Sequence, residues 1–499
     1  MLGHAHVWWD DPENLFENPD FNPPTPRGLA NYWTRDAWGL YVPVLYTAWY
    51  PVARFEYDAS RTPALDPRAF HAASLLVHGL CALSVYALLR TAMRSSGTGP
   101  LPAAIGALVF AIHPVQVEAV AWISGMKDLL CGLFATLALW LYLGHASLNP
   151  RDAHTPLRRL TLYLLATLAF ALALLSKPVA VVLPLLGIVL DRGLVRRSWP
   201  TVIAMQIPWI VLAIPVALVT RQVQPAVDVA AIAPPHVRPL VAGDALAFYL
   251  RQVLVPERLA LDYSRAPEVV ARQPWRWLMW AVPATLAVAL WKVRTRARPA
   301  LVGAMLFVIP LVPVLGFVPF SAQEYSTVAD HYLYLPMIGF ALVAAWVASR
   351  FRARVALGIA VPALLILGAR SWFQTWHWRD TRALFTHNLA VNPRSWTAHV
   401  NLAADALLRG DGKAAERHAR AAQAIRPDDP QIYQNLAMAY QLQGKQPEAR
   451  DAIEEAVTRL AALVARQPNR PELRHNLARA RMIQRTLSAP TTTSTRPGL

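Results

Sequence analysis

Ten apolar runs recur between residues 68 and 373: 68–89, 101–117, 128–143, 160–176, 178–190, 200–220, 275–291, 299–317, 334–349 and 355–373. Runs of this size suit helices crossing a bilayer, whose hydrocarbon core takes roughly 20 residues at about 1.5 Å each, with 178–190 marginally short. Read this way, the chain crosses ten times. Arg90/Arg94, Arg151/Arg158/Arg159, Arg192/Arg196/Arg197, Lys292/Arg294/Arg296/Arg298 and Arg350/Arg352/Arg354 fall between alternate pairs of runs. Short loops rich in Arg and Lys face the cytoplasm. The opposite loops, such as 318–333, have almost none, which puts the N-terminal region, the loop holding Glu118 and the C-terminal region on the non-cytoplasmic side. With 55% hydrophobic residues, 16% charged residues and 18 Trp, the chain reads as an integral membrane protein with a polar appendage. Its net charge of +17 then orients it in a membrane and does not point to nucleic acid. Cys81 and Cys131 lie inside apolar runs and read as small buried hydrophobes.

Two regions stand outside this scheme. Residues 1–66 are polar and rich in Pro, Trp and Tyr, and read as an external acidic loop; within it 36–57, with Pro43, Pro51, Arg54 and Glu56, fits a helix lying in the interface. Ala245 to Val255 is apolar but short, carries Arg251 and would break the charge parity if it crossed. Residues 221–274 are therefore expected outside, with a re-entrant or interfacial helix.

After Trp372 the composition changes to Ala, Arg, Gln and Glu at helical spacing. Ala390-Val391-Asn392-Pro393 is answered 34 residues later by Ala424-Ile425-Arg426-Pro427, and Asn401-Leu402-Ala403 at the same interval by Asn435-Leu436-Ala437. A 34-residue period in helical sequence is the tetratricopeptide signature. A third copy at Asn476-Leu477-Ala478 comes after 41 residues, giving about two and a half units with an extended second one. Such arrays form a concave surface for extended peptide, and a short one also serves as a helical cap. The fold class is therefore all-α: a polytopic membrane bundle over 67–374 after the loop 1–66, a repeat domain over 375–487, and a disordered Thr/Ser/Pro-rich tail over 488–499.

Chemistry concentrates on the non-cytoplasmic side. In Val7-Trp8-Trp9-Asp10-Asp11-Pro12-Glu13-Asn14 two carboxylates follow two indoles, which favour the membrane–water boundary; the octet reads either as an acidic cluster held at the bilayer face or as a solvated Asx-Pro turn. The block 113–128 is an unusually polar exit from an apolar helix. Pro114 ends or kinks that helix, and His113, Glu118, Lys127 and Asp128 would surround a cavity, since ionisable groups at membrane depth usually line a site. A helix-terminal ion pair of Glu118 with Lys127 is the simpler alternative. Ser176-Lys177-Pro178 adds a cation at the same level, where an anionic phosphate is its natural partner. Asp330-His331-Tyr332-Leu333-Tyr334-Leu335-Pro336 closes a further external loop, with His331 a candidate phosphate contact.

Trp9-Asp10-Asp11-Pro12, Tyr41-Val42-Pro43, Phe70-His71 through His78, the 113–128 block, Leu175-Ser176-Lys177-Pro178, Asp330 to Pro336 and the trailing repeats, in this order, resemble the transmembrane and tetratricopeptide repeat-containing proteins, which belong to the GT-C membrane glycosyltransferases. The resemblance covers nearly the whole chain. It implies an inverting transfer of a sugar, mannose in eukaryotic members, from a polyprenyl-phosphate donor (dolichyl or undecaprenyl) to Ser or Thr hydroxyls of proteins, with an acidic residue of the first external loop as base. Asp10 or Asp11 would be that base. Glu118 would orient the acceptor or a cation, and Lys127, Lys177, His331 and Arg251 would meet the leaving phosphate, beside Asp128, Asp330 and Tyr332. A lipid-monophosphate donor requires no metal, although Asp10, Asp11 and Glu118 could assemble a divalent site. The implied partners are the lipid-linked donor, membrane lipids and a protein or peptide acceptor near the repeats. The Arg- and Ala-rich composition points to a bacterial inner membrane, which would put both external regions in the periplasm. The sequence departs from the family in three places. Only Met1 to Val7 precede a motif that a membrane helix is expected to precede. His331 replaces the Arg of an Asp-Arg-Tyr pattern, and Met126 stands where Arg is common. A membrane-anchored scaffold for envelope proteins and a transporter of lipid-linked sugars remain alternatives.

Overall fold

The computed structural model describes all residues except 38, 95–96, 150–154, 225–232, 468–470 and 489–499; the predicted disordered tail falls almost wholly outside the described residues. The chain forms two compact units, Met1–Asp380 and Thr381–Leu499. The boundary lies after the predicted 374 because the last apolar helix continues to His377.

In the first unit α1 (Pro26–Thr34) and α2 (Pro43–Glu56) precede α3 (Pro67–Ala92), α4 (Leu101–Ile112), α5 (Val117–Ala121), α6 (Met126–Ser147), α7 (Thr155–Ser176), α8 (Leu183–Leu190) and α9 (Trp199–Val223). Then follow α10 (Arg238–Leu254), α11 (Pro267–Ala271), α12 (Ala281–Lys292), α13 (Arg298–Val308), α14 (Met337–Ala348) and α15 (Ala353–His377). Every predicted apolar run is helical over most of its length. Among the described residues six helices are long and apolar enough to cross a membrane, or seven if Leu101–Ile112 and Pro114–Ala121, bent by 49°, count as one span. The runs near 281–292, 298–314 and 337–348 form shorter helices, so the expected ten crossings are not all made by single long helices. The bend falls at Pro114, whose ring and missing N–H interrupt the helix.

The helices carry their polar residues inward. On α3, His71, Ser74, His78, Cys81 and Ser84 are buried, while Leu75, Leu76, Leu80 and Leu83 are exposed. On α9, Gln206 is buried while Ile203, Ile207, Ile210, Ile214 and Leu218 face out. Leucine and isoleucine stripes of this extent are stable only against lipid, so the first unit is an integral membrane bundle. Its glycines sit where helices touch: a Cβ on Gly339 would lie 2.3 Å from the Gly303 carbonyl and 2.4 Å from the Phe307 nitrogen, so α13 and α14 approach there backbone to backbone.

Residues 1–66 are not a detached loop. Leu15, Phe16, Phe21, Tyr32, Tyr46 and Trp49 are buried in the same core as Phe70 and Leu129, and the Tyr32 and Tyr46 rings stack at 3.6 Å. The helix expected within 36–57 is α2, with Leu45, Tyr46, Trp49 and Ala53 packed inward. The helix expected near 245–255 is α10, seven residues longer at its start; Leu240 through Tyr249 are buried, so it is packed within the unit and does not lie along a surface.

Among its described residues the second unit has six helices: α16 (Thr381–Val391), α17 (Trp396–Leu408), α18 (Gly412–Ile425), α19 (Pro430–Leu442), α20 (Gln446–Arg466) and α21 (Pro471–Ser488). The 34-residue spacing reappears as matched positions. Leu402 and Leu436 are buried, as are Ala403 and Ala437, and the turns after α17 and α19 use Gly410 at φ 74° and Gly444 at φ 73°, a conformation that costs glycine nothing. The 41-residue offset arises because α20 has 21 residues where α18 has 14, two extra turns.

Candidate functional site

One end of the membrane bundle gathers the N-terminal octet, the bend at 113–125, the start of α6, the end of α7 and the turn 330–332. The other end gathers a second polar group. Buried Asp191 pairs with Arg197 and accepts from the Tyr142 hydroxyl at 2.8 Å, and His145 Nδ1 meets the Arg159 carbonyl at 2.9 Å. Helix α6, with 22 residues and therefore roughly 33 Å, connects the two ends, about the thickness of a hydrocarbon core.

The two aspartates of the octet differ sharply. Asp11 is buried and accepts three bonds: Val7 N to Oδ2 at 3.1 Å, and Ser124 N and Oγ to Oδ1 at 2.9 and 2.7 Å. Burial pushes its carboxyl up to about 6, although these donors and the neighbouring Asp10 pull in opposite directions. Asp11 thereby clamps the N-terminal segment to the Trp122–Gly125 turn. That turn is tight, since a Cβ on Gly125 would lie 2.4 Å from the Ala119 carbonyl. Asn14 supports the clamp by donating to Ser124 Oγ at 3.4 Å and accepting from the Tyr46 hydroxyl at 2.9 Å. Asp10 is partly exposed, and among the described residues its carboxylate takes no hydrogen bond. Burial raises its pKa and the positive charge of Lys127 opposes that rise.

Lys127 is buried, with Nζ 4.4 Å from the Trp122 ring centroid, and no acidic group bonds it among the described residues. The alternative reading, an ion pair of Glu118 with Lys127, is not formed among the described residues. Lys177 Nζ instead contacts Asp128 Oδ1 at 2.5 Å and lies 5.5 Å from the Tyr332 ring centroid. Among the described residues Asp128 Oδ2 has no hydrogen-bond partner. Lys177, Asp128, His331 and Tyr332 line a cleft whose other wall is apolar, with Val179, Pro310, Val314 and Leu335.

Glu118 is committed elsewhere. Its Oε1 meets His331 Nδ1 at 2.6 Å and its Oε2 accepts the Asp330 backbone N–H at 3.1 Å, so it holds the 330–332 turn in place. Asp330 accepts from the Tyr263 hydroxyl at 2.7 Å and from Gln252 Nε2 at 3.5 Å, and burial pushes its carboxyl up to about 7. His331 was expected as a cation. Burial, reinforced by Lys177 and Lys127, holds its imidazole well below the usual value, so it is a neutral group facing the cleft.

Two predicted residues lie apart from this assembly. His113 is buried and fastens the end of α4 to α10, its Nε2 3.0 Å from the Val253 carbonyl. Arg251 is exposed and bonds the side chain of its neighbour Gln252 at 3.2 Å; it does not line the cleft. The suggested divalent site from Asp10, Asp11 and Glu118 does not form, because Asp11 and Glu118 are held by separate partners; among the described residues no group of three or more His, Cys, Asp or Glu converges to hold a metal. Ser124, Asn14, Tyr263 and Gln252 position the site and were not singled out in the sequence. The small pair Ser124-Gly125 beside Trp122 is the one signal that could have marked the clamp.

No family model matches the chain. It is similar to the Caenorhabditis elegans protein named protein O-mannosyl-transferase F38B6.6, 24% identical over 412 residues, which are 80% of this chain and 57% of that protein. It is also similar to mouse protein O-mannosyl-transferase TMTC4, 31% identical over 27% of this chain and 20% of that protein, and to mouse protein O-mannosyl-transferase TMTC1, 34% identical over 28% and 14%. These are the proteins that the ordered motifs resemble. The chain spans little more than half the length of the first of these relatives and a fifth or less of the other two. Among solved structures, ArnT from Cupriavidus metallidurans in the apo state aligns over 82% of this chain and 68% of that one at 16% identity, with a TM-score of 0.32.

Proposed function

We propose that the chain is a GT-C-type glycosyltransferase that moves a sugar, mannose by analogy with its relatives, from a polyprenyl phosphate to a hydroxyl, Ser or Thr of an exported protein, with inversion. One observation carries this reading: Asp10, whose carboxylate takes no hydrogen bond among the described residues, stands in the field of buried Lys127, which no acid among them bonds, at the bundle end where Lys177 flanks a half-apolar cleft.

Each group then has a task. A hydroxyl is a weak nucleophile, and Asp10 takes its proton as the oxygen bonds to the anomeric carbon. The bond from that carbon to the phosphate oxygen breaks on the opposite face, and the polyprenyl phosphate departs with the electron pair. Lys127 and Lys177 meet the charge gathering on it, where low dielectric strengthens their effect. The apolar wall of the cleft receives the first isoprene units. Asp11 and Ser124 keep Asp10 in place, and Glu118 and Asp330 keep the His331–Tyr332 turn in place. The Arg-rich loops at the far end favour a cytoplasmic position for it, which supports reading the site as non-cytoplasmic, at the periplasmic face if the membrane is a bacterial inner membrane. The helix pairs of the second unit are read as tetratricopeptide repeats.

The test is a comparison of envelope proteins by mass spectrometry from cells lacking the gene and cells carrying either the wild type or Asp10→Asn. Added hexose on Ser or Thr should appear with the wild type alone. Equal modification in all three strains would defeat the proposal.

A further inference from the structure

Two imidazoles face each other in the second unit. His399 lies near the start of α17 and His418 in the middle of α18, with their Nδ1 atoms 3.1 Å apart and their ring centroids 5.4 Å apart. Both residues are partly exposed, so an ion and its water can reach them.

The spacing is that of two ligands on one metal. Nitrogens about 2.0–2.1 Å from a metal stand about 2.9 Å apart at a right angle and about 3.3 Å apart at the tetrahedral angle, and the observed 3.1 Å falls between the two. Protonation fits as well. Burial holds both imidazoles below their usual value; His399, Arg417 and Arg409 lower His418 further, and Asp405 opposes them. Both rings are therefore neutral at pH 7, the form that ligates. His399 also donates to the Pro393 carbonyl, since a proline offers no N–H. A neutral imidazole has a single N–H, and a ring that spends it on a carbonyl keeps a lone pair on its other nitrogen, as metal-bound histidines usually do. Without a metal, His418 gives its Nδ1 proton to His399; with one, it carries that proton on Nε2.

The surrounding charges are modest. Arg409 is engaged by Asp405, its Nε and Nη2 lying 3.1 and 2.8 Å from one carboxylate oxygen. Arg382, Arg417 and Asp411 line the cleft beside His418, and the two arginines are exposed, where salt screens their repulsion of a cation.

We infer that His399 and His418 bind a divalent transition-metal ion of the Cu²⁺ or Zn²⁺ kind, which ties α17 to α18. No third His, Cys, Asp or Glu joins them among the described residues, so water completes the shell. Imidazole ligands suit Cu²⁺ and Zn²⁺, whereas Mg²⁺ and Ca²⁺ take oxygen. The inference rests on the second unit alone and stands whatever the first unit catalyses.

The experiment uses the full chain in detergent, free of any histidine tag. Cu²⁺ is added at one equivalent for electron paramagnetic resonance, and Zn²⁺ and Mg²⁺ are titrated by calorimetry. The wild-type spectrum should show coupling to two imidazole nitrogens, a readout that needs no variant to fold, and His399→Gln and His418→Gln should each reduce it to one. Zn²⁺ affinity should fall at least tenfold in His399→Gln/His418→Gln and stay unchanged in His475→Gln, exposed on α21. Mg²⁺ should not bind at the pair. A wild-type spectrum without two-nitrogen coupling, coupling unchanged in the single variants, or Zn²⁺ affinity unchanged in the double variant would each overturn the inference.

Discussion

Replacing Asp10 and Asp11 separately should give opposite phenotypes. Asp11 holds three buried donors, so Asp11→Ala strands the Val7 N–H, the Ser124 N–H and the Ser124 hydroxyl. A buried donor left unpaired costs about 1–3 kcal/mol, and partial rearrangement lets the whole reach about 3–5 kcal/mol. Ser124→Ala removes the hydroxyl's bond to Asp11 and the long one from Asn14 but leaves its backbone N–H on Asp11, so it should cost only about 1–2 kcal/mol. Asp10→Asn breaks no hydrogen bond among the described residues and should change stability by less than about 0.5 kcal/mol. Sugar transfer by Asp10→Asn should nonetheless fall by about 10²–10⁴-fold, the usual contribution of a general base. Thermal unfolding of the purified variants, followed by tryptophan fluorescence beside initial transfer rates, separates the two roles. If Asp11→Ala kept full stability and lost transfer while Asp10→Asn kept both, the assignment of base and clamp would be reversed.

Three more outcomes follow from the geometry. Asp10 must be ionised to act, and burial raises its pKa, so transfer should fall with decreasing pH already above the ordinary carboxylate value of about 3.9; Lys127→Met removes the opposing charge and should move that limb higher in the pH profile of kcat. Lys177→Met leaves Asp128 buried without a cation and should cost about 3–5 kcal/mol, whereas Lys177→Met/Asp128→Leu should recover stability in the same thermal assay but not donor KM. Gly444→Ala, at φ 73° with open space around the new Cβ, should cost about 1–2 kcal/mol from the backbone alone and lower the unfolding temperature of the second unit; Gly410→Ala at φ 74° should match it.

The sequence carries the helices well because apolar runs and a 34-residue period are local signals. Every run became helix, and the period became matched Leu402/Leu436 and Gly410/Gly444 positions. What a run cannot show is whether it crosses in one piece, and α12, α13 and α14 are shorter than the runs suggested. At the candidate site, residue types pointed to the bundle end where these groups gather but not to their pairings. Lys177 and Asp128 are 49 residues apart, and Glu118 and His331 are 213 apart, so neither pair leaves a spacing to read. His113, beside a proline at a helix end, has the same local appearance as a site residue. Its actual partner is a carbonyl 140 residues away, which only the packing of α10 supplies. Arg251 failed for the opposite reason: helical phase turned it outward while Gln252, one residue on, faced Asp330.

The most direct measurement is transfer by the purified chain in liposomes containing a polyprenyl-phosphate mannose and a Ser/Thr peptide, with the anomeric configuration of the product read by NMR. A glycopeptide of configuration opposite to the donor, formed by the wild type and not by Asp10→Asn, is the predicted result. A product that retains the donor's configuration, or one formed equally by Asp10→Asn, would contradict the account.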